Sequence, residues 1–128
     1  IRSFAGDRTK SPLTRLRHFY EWIRQDVLEG NVRTECVLCK LALEQASLSQ
    51  PMRAAIRSSF DQFRVLVAQI IREAQAAEEI DANLDADNLS DFLSVSLQGA
   101  MIRAEIDDSL QPLDTLLHFV FEVLLKQR

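Results

Sequence analysis

The chain has 128 residues, 47% of them apolar and 27% charged, enough apolar material for one domain with a real core. Three glycines and three prolines are too few for the many turns of a β-sandwich or barrel. No stretch approaches the roughly 18 uninterrupted apolar residues of a membrane span, so no membrane partner is expected.

The charge is uneven. The net value is −4, yet residues 1–72 carry twelve basic and seven acidic groups, while residues 73–108 carry one basic and ten acidic. An acidic chain binds nucleic acid poorly, because phosphate neutralisation dominates that affinity. Any contact with DNA is expected from another segment. The chain opens on Ile1 rather than Met, which points to a processed chain or an excised piece. No apolar leader follows a basic start. Two cysteines without a secretion signal suggest a reducing, cytoplasmic setting.

Residues 1–10 read as the tail of a helix stopped near Gly6. Ser11 and Pro12 then open a helix expected to run to about Glu29, with Gly30 and Asn31 ending it. Its apolar stripe is Leu13, Leu16, Phe19 and Tyr20, Ile23 and Val27, with Arg15, Arg17 and Arg24 mostly off the stripe. A second helix is expected over about 32–46. Val37, Leu38, Leu41, Ala42 and Leu43 cover more than half of its circumference, which suits the middle of a bundle. Ser49 and Pro51 start a third helix, reaching about Ala77, with Met52, Ile56, Phe60, Phe63, Val67, Ile70 and Ala74 as its stripe. An acidic turn follows, pinned by Ile80 and Leu84.

Asp85 caps a fourth helix over about 86–106, on which Leu89, Phe92, Leu93, Ser96, Gly99, Ala100 and Arg103 occupy adjoining positions. Gln111 and Pro112 open a fifth, running to the C-terminus. Its apolar residues from Leu113 to Leu125 are too many for one buried stripe, and a terminal helix apolar on two sides suggests a subunit interface. The architecture expected is all-α, five helices with short connections.

Cys36-Val37-Leu38-Cys39 is a CxxC without the βαβ surroundings of a thioredoxin, and as a zinc half-site it lacks a second pair. The two thiols read either as small apolar core residues or as reactive groups whose pKa is lowered near a helix start by Arg33 and Lys40. His18 and Trp22, four apart, share a face with either a packing role or a place in a pocket wall. Gln98, Met101 and Arg103 face either a cavity or a partner subunit. Asp81, Asp85, Asp87 and Asp91 read as a solvated turn and helix N-terminus. No catalytic arrangement or cofactor motif stands out, and no cofactor or metal is expected.

The segment Glu35-Cys36-Val37-Leu38-Cys39-Lys40-Leu41-Ala42-Leu43-Glu44, followed by Leu48-Ser49-Gln50-Pro51-Met52-Arg53, resembles the C-terminal regulatory domain of TetR-type transcriptional repressors. The likeness is to the branch with a Gly-Cys-Leu-like segment. The turn Glu79-Ile80-Asp81-Ala82-Asn83-Leu84-Asp85, the Leu97, Gly99, Ala100, Ile102, Ala104 pattern and the Pro112, Leu113, Leu116, Leu117, Val120 helix extend it to about residues 12–126.

The resemblance implies a domain that binds a small-molecule effector and forms a homodimer, with DNA contacted only through an N-terminal helix-turn-helix domain absent from this chain. Residues 1–4 would end the helix linking the two domains. The last two helices would form a four-helix bundle with those of a second subunit, through Phe92, Ser96, Gly99 and Arg103 on the fourth and Leu116, Leu117, Val120 and Leu124 on the fifth. The effector cavity would be lined by His18, Trp22, Cys36, Cys39, Phe60, Phe63, Gln98 and Met101. Some relatives sense electrophiles or oxidants through the cysteine aligned with Cys36. Here Glu35 replaces their usual Gly, and a neighbouring carboxylate raises a thiol's pKa. The contrasting expectations are a small thiol-dependent enzyme or a purely structural helical module.

Overall fold

The computed structural model describes residues 2–30, 44 and 49–126. The expected second helix, and with it Cys36 and Cys39, lies outside the described residues. The elements are α1 (Arg2–Ala5), α2 (Pro12–Leu28), α3 (Gln50–Ala76), α4 (Ala86–Asp107) and α5 (Gln111–Phe119), which continues into a π-helical turn, Val120–Leu124. Among the described residues all regular structure is helical, and no helix is long and apolar enough to cross a membrane.

The helix starts follow from short polar side chains. Ser11 Oγ accepts from the Thr14 amide at 3.3 Å, Ser49 Oγ from Met52 at 3.3 Å and Asp85 Oδ1 from Asn88 at 2.9 Å. Each satisfies an amide that a first turn leaves without an intrahelical partner. The helix ends use the left-handed region. Gly30 at φ +74° follows α2, but Glu78 at φ 60° follows α3 and Asp108 at φ 47° follows α4. Beyond those two residues the Glu79 and Ser109 amides reach back to the Ala74 and Ala104 carbonyls at 2.9 and 3.1 Å. This is the Schellman closure, built twice without glycine.

α3 packs along α4, α4 along α5, and α2 lies across α3 and α5. The shared core holds Leu16, Phe19, Tyr20 and Ile23 of α2, Val67, Ile70, Ile71 and Ala74 of α3, and Leu89, Leu93, Leu97 and Met101 of α4. Leu113, Val120, Phe121 and Leu125 close it from the C-terminal side. Ile80 is buried and Leu84 packs beside it, so the acidic turn is pinned to the core as its sequence implies. Ser90 is buried because its hydroxyl donates to the Arg64 carbonyl at 2.6 Å, tying α4 to the α3 backbone.

Three features depart from the periodicity. Arg15 is not off the stripe but buried at 3% exposure, paired with Glu73 of α3 at 2.7 Å. Met52, at the open end of α3, is exposed rather than core. The C-terminal helix does not run on as an α-helix. After Phe119 it widens, and the Leu125 amide bonds to the Val120 carbonyl five residues back at 2.8 Å. The extra residue in the turn carries Leu125 into the core beside Val120 and leaves Val123 and Leu124 outside.

Candidate functional site

On α4 the inward face recurs at spacings of three and four: Ala86, Leu89, Leu93, Leu97, Met101, Ala104. The opposite face is also apolar, at Phe92, Val95 and Ile106, each more than half exposed. Phe119, Val123 and Leu124 at the C-terminal end are exposed as well. Gly99 falls on the outward side of α4, where an added Cβ would meet nothing within 4 Å among the described residues. Arg103 reaches along the rim to Asp107 at 3.0 Å.

The residues expected at a subunit interface therefore divide. Phe92, Gly99, Arg103 and Leu124 are exposed; Ser96, Leu116 and Leu117 are half-buried within the protomer. Val120 is a correction: at 2% exposure it belongs to the protomer's own core, two regular turns on from the buried Leu113. Val95, Ile106, Phe119 and Val123 were not among the expected interface residues. Spacings of three, four and seven from Phe92 to Val95, Gly99 and Ile106 were the available signal.

The residues expected around an effector lie in separate places. Phe63 and Trp22 meet through Phe19, whose ring centroid is 5.7 Å from Phe63 and 6.3 Å from Trp22. Phe4 of α1 completes this cluster, 5.7 Å from both Phe19 and Trp22. Phe4 and Phe19 were not among the expected residues; Phe19 was assigned only to packing, and Phe4 stood in a stretch read as a tail. Phe60 is half-buried on α3. His18 borders a recess of about 150 Å³ with Ser3, Phe4, Asp7, Lys10 and Arg15. Gln98 is half-buried and donates to Ser94 Oγ at 3.3 Å one turn earlier, while Met101 is packed in the core.

Two open grooves are larger. One, of about 490 Å³, runs along the outer face of α3 past Ala54, Arg57, Asp61 and Val65. The other, of about 400 Å³, lies between the start of α2 and the π-helical turn, beside Leu13, Arg17, Glu79 and Phe121. Among the described residues, the recess is the one of these three spaces that includes an expected effector residue, His18.

The interior is chemically quiet. Burial pushes the Tyr20 phenol far above its usual range, so it stays a neutral donor; its hydroxyl lies 3.4 Å from the Leu93 carbonyl. Among the described residues no three His, Cys, Asp or Glu side chains converge as a metal site. Charge is concentrated at the α1–α2–α3 corner. There one Glu73 oxygen meets Arg15 at 2.7 Å and the other meets Arg8 at 3.2 Å. Burial alone would raise the Glu73 carboxyl, but hydrogen bonding and charge from Arg15, with help from Gln69 and Arg8, hold it below its ordinary value.

The described residues thus form a helical domain with an apolar core and a second, exposed apolar face. Comparison with known proteins makes the class specific. Residues 12–120 match the family described as "Tetracyclin repressor-like, C-terminal domain". The chain is 33% identical over 125 residues to the HTH-type transcriptional repressor DhaR of Mycobacterium sp. (strain GP1), covering 98% of this chain and 61% of that protein. It is 31% identical over 107 residues to the transcriptional regulator AcuR of Cereibacter sphaeroides, covering 84% of this chain and 49% of that one.

A crystal structure of regulatory protein TetR from Rhodobacter sphaeroides superposes with a TM-score of 0.79 at 30% identity, over 86% of this chain and 58% of its own. The reduced form of E. coli NemR, at 19% identity and a TM-score of 0.83 over 98% of this chain and 64% of its own, shares the fold. The chain belongs to the TetR family of transcriptional regulators, as a C-terminal domain of that family. It spans about half to three fifths of the length of those curated relatives. They are regulators of transcription and not enzymes, which removes the thiol-dependent enzyme from consideration.

Proposed function

We propose that this chain is the effector-binding and dimerisation domain of a cytoplasmic, TetR-type DNA-binding regulator that leaves its operator when a small molecule binds. The observation that carries the reading is the second apolar face of α4 and the C-terminal helix, at Phe92, Val95, Ile106, Phe119, Val123 and Leu124. A face of that extent, on a protomer whose described helices already share a buried core, is the surface of an obligate partner. Two copies meeting through it form a four-helix bundle about a two-fold axis.

In this reading DNA is contacted by an N-terminal helix-turn-helix domain, one per subunit, on operator half-sites about one helical turn (~34 Å) apart. An apolar or electrophilic effector binds among α2, α3 and α4. The Phe4, Phe19, Trp22 and Phe63 cluster gives it aromatic wall area. Binding favours the arrangement in which the two heads no longer match the half-sites, which requires tighter effector affinity for that state than for the DNA-bound one.

Sedimentation of the full-length protein should give a dimer at micromolar concentration. Phe92→Asp, which places a charge in the face, should weaken association by more than about 30-fold, the ~2 kcal/mol or more of an interface hot spot. Operator binding, read by mobility shift, should be lost in the same variant. A stable monomer that still binds operator with parent affinity would remove the reading.

A further inference from the structure

We infer that Arg15 is a latch that registers α1 against α3, so that a displacement of α3 is passed to α1 through its guanidinium. The side chain belongs to α2, yet both of its terminal nitrogens point away from α2. Nη1 donates to the carbonyl of Ala5, the last residue of α1, and Nη2 meets Glu73 Oε2 of α3 at 2.7 Å. The Ala5 carbonyl lies at a helix end, where no following turn supplies an amide and a cation is the natural partner. Nε is buried and finds no partner among the described residues, so the group is held entirely by its two ends.

Glu73 is the hub. Arg15 takes one oxygen; Arg8, from the loop joining α1 to α2, takes the other at 3.2 Å, and Gln69 approaches that same oxygen at 3.4 Å. The same carboxylate thus ties α3 to α1 twice, once through Arg15 and once through the loop. Phe4 provides the apolar side of the seat by resting on Phe19 and Trp22. A buried guanidinium that loses its carboxylate is costly, so intermediate positions are disfavoured and α1 is either seated or released. Lysine cannot replace the bridge, because an ammonium is a point charge without the planar fork that reaches two acceptors in fixed directions. That α1 leads into a DNA-binding head rests on the proposed function; the seating of α1 does not.

Trp22 is the one tryptophan of the chain and packs against Phe4 with the two rings tilted and 5.7 Å apart, so its fluorescence reports the seat without DNA or effector. Phe4→Ala sets the emission and acrylamide quenching of an unseated α1. Leu113→Ala, a buried position on α5, controls for general destabilisation. Glu73→Gln and Arg15→Lys should move Trp22 emission to the red and raise quenching to the Phe4→Ala level. Leu113→Ala should leave both at the parent values while still folded. Folded Glu73→Gln and Arg15→Lys proteins with parent emission and quenching would overturn the inference. So would loss of the helical far-ultraviolet signal in both, since the pair would then support the whole core and not α1. Operator release in the full-length protein tests the proposed function separately, so the two can fail independently.

Discussion

At the scale of single residues, the informative positions are those where a side chain does something its type does not announce. Glu78 and Asp108 occupy the left-handed C-terminal position that usually goes to glycine. Glu78→Gly should therefore stabilise the domain by about 1 kcal/mol, the rough cost of that conformation for a residue with a Cβ. Asp108→Gly should gain less, because aspartate tolerates the region better. Urea midpoints of the two variants check both the sign and the order.

Glu73 gives a pH dependence. Its folded pKa is depressed below the ordinary 4.5, so its contribution is present above that value and is lost as pH falls through the folded one. Denaturation midpoints should drop below about pH 4.5, and Glu73→Gln should flatten that drop. Neither kind of residue was legible beforehand. An arginine between apolar neighbours reads as solvent-facing until a carboxylate 58 positions later is brought to it, and a C-terminal closure without glycine carries no glycine signal.

At the scale of elements, the starts were legible and one end was not. Ser11 with Pro12, Ser49 with Pro51, and Asp85 announce their helices because a capping oxygen and a proline act locally, through amides two or three residues away. The widened turn after Phe119 has no such local cause. It follows from the need to seat both Val120 and Leu125 in the same core, and that is known only once α2 and α4 are in place. Deleting Val123 should convert Val120–Leu125 to ordinary α spacing, with Leu125 four residues from Val120 and still inward. A thermal melt of that variant should lie close to the parent. Deleting Val95 instead rotates everything after it on α4 by one residue and turns Leu97 and Met101 out of the core, so that protein should not fold cooperatively.

At the scale of the whole molecule, the uneven charge of the sequence becomes pairing in space. Arg8 and Arg15 meet Glu73, Arg64 meets Asp91 at 3.4 Å, Arg72 meets Asp87 at 2.8 Å, and Arg17 and Arg24 meet Glu122 and Asp114. A basic first half and an acidic second half fold onto each other. The candidate association face was partly legible, because α5 held more apolar residues than one stripe can bury. Its membership was not: which side of α4 turns inward depends on α3, and the widened turn puts Leu125 rather than Leu124 in the core beside Val120. The effector residues were the least legible, since aromatic side chains at helical spacing satisfy a core and a pocket wall equally well.

Gly99 shows where that leads. It stands in the middle of α4, where glycine costs the helix about 1 kcal/mol relative to alanine, and nothing among the described residues occupies the space a methyl group would take. Gly99→Ala should therefore raise the stability of a dissociated protomer by roughly that amount while weakening association, as seen in denaturation under dissociating conditions and in sedimentation. In the proposed dimer the two requirements on this position therefore have opposite signs. A lineage that gave up that assembly would be free to fill it, so under the proposed function the residue found at 99 in a descendant records whether its subunits still meet.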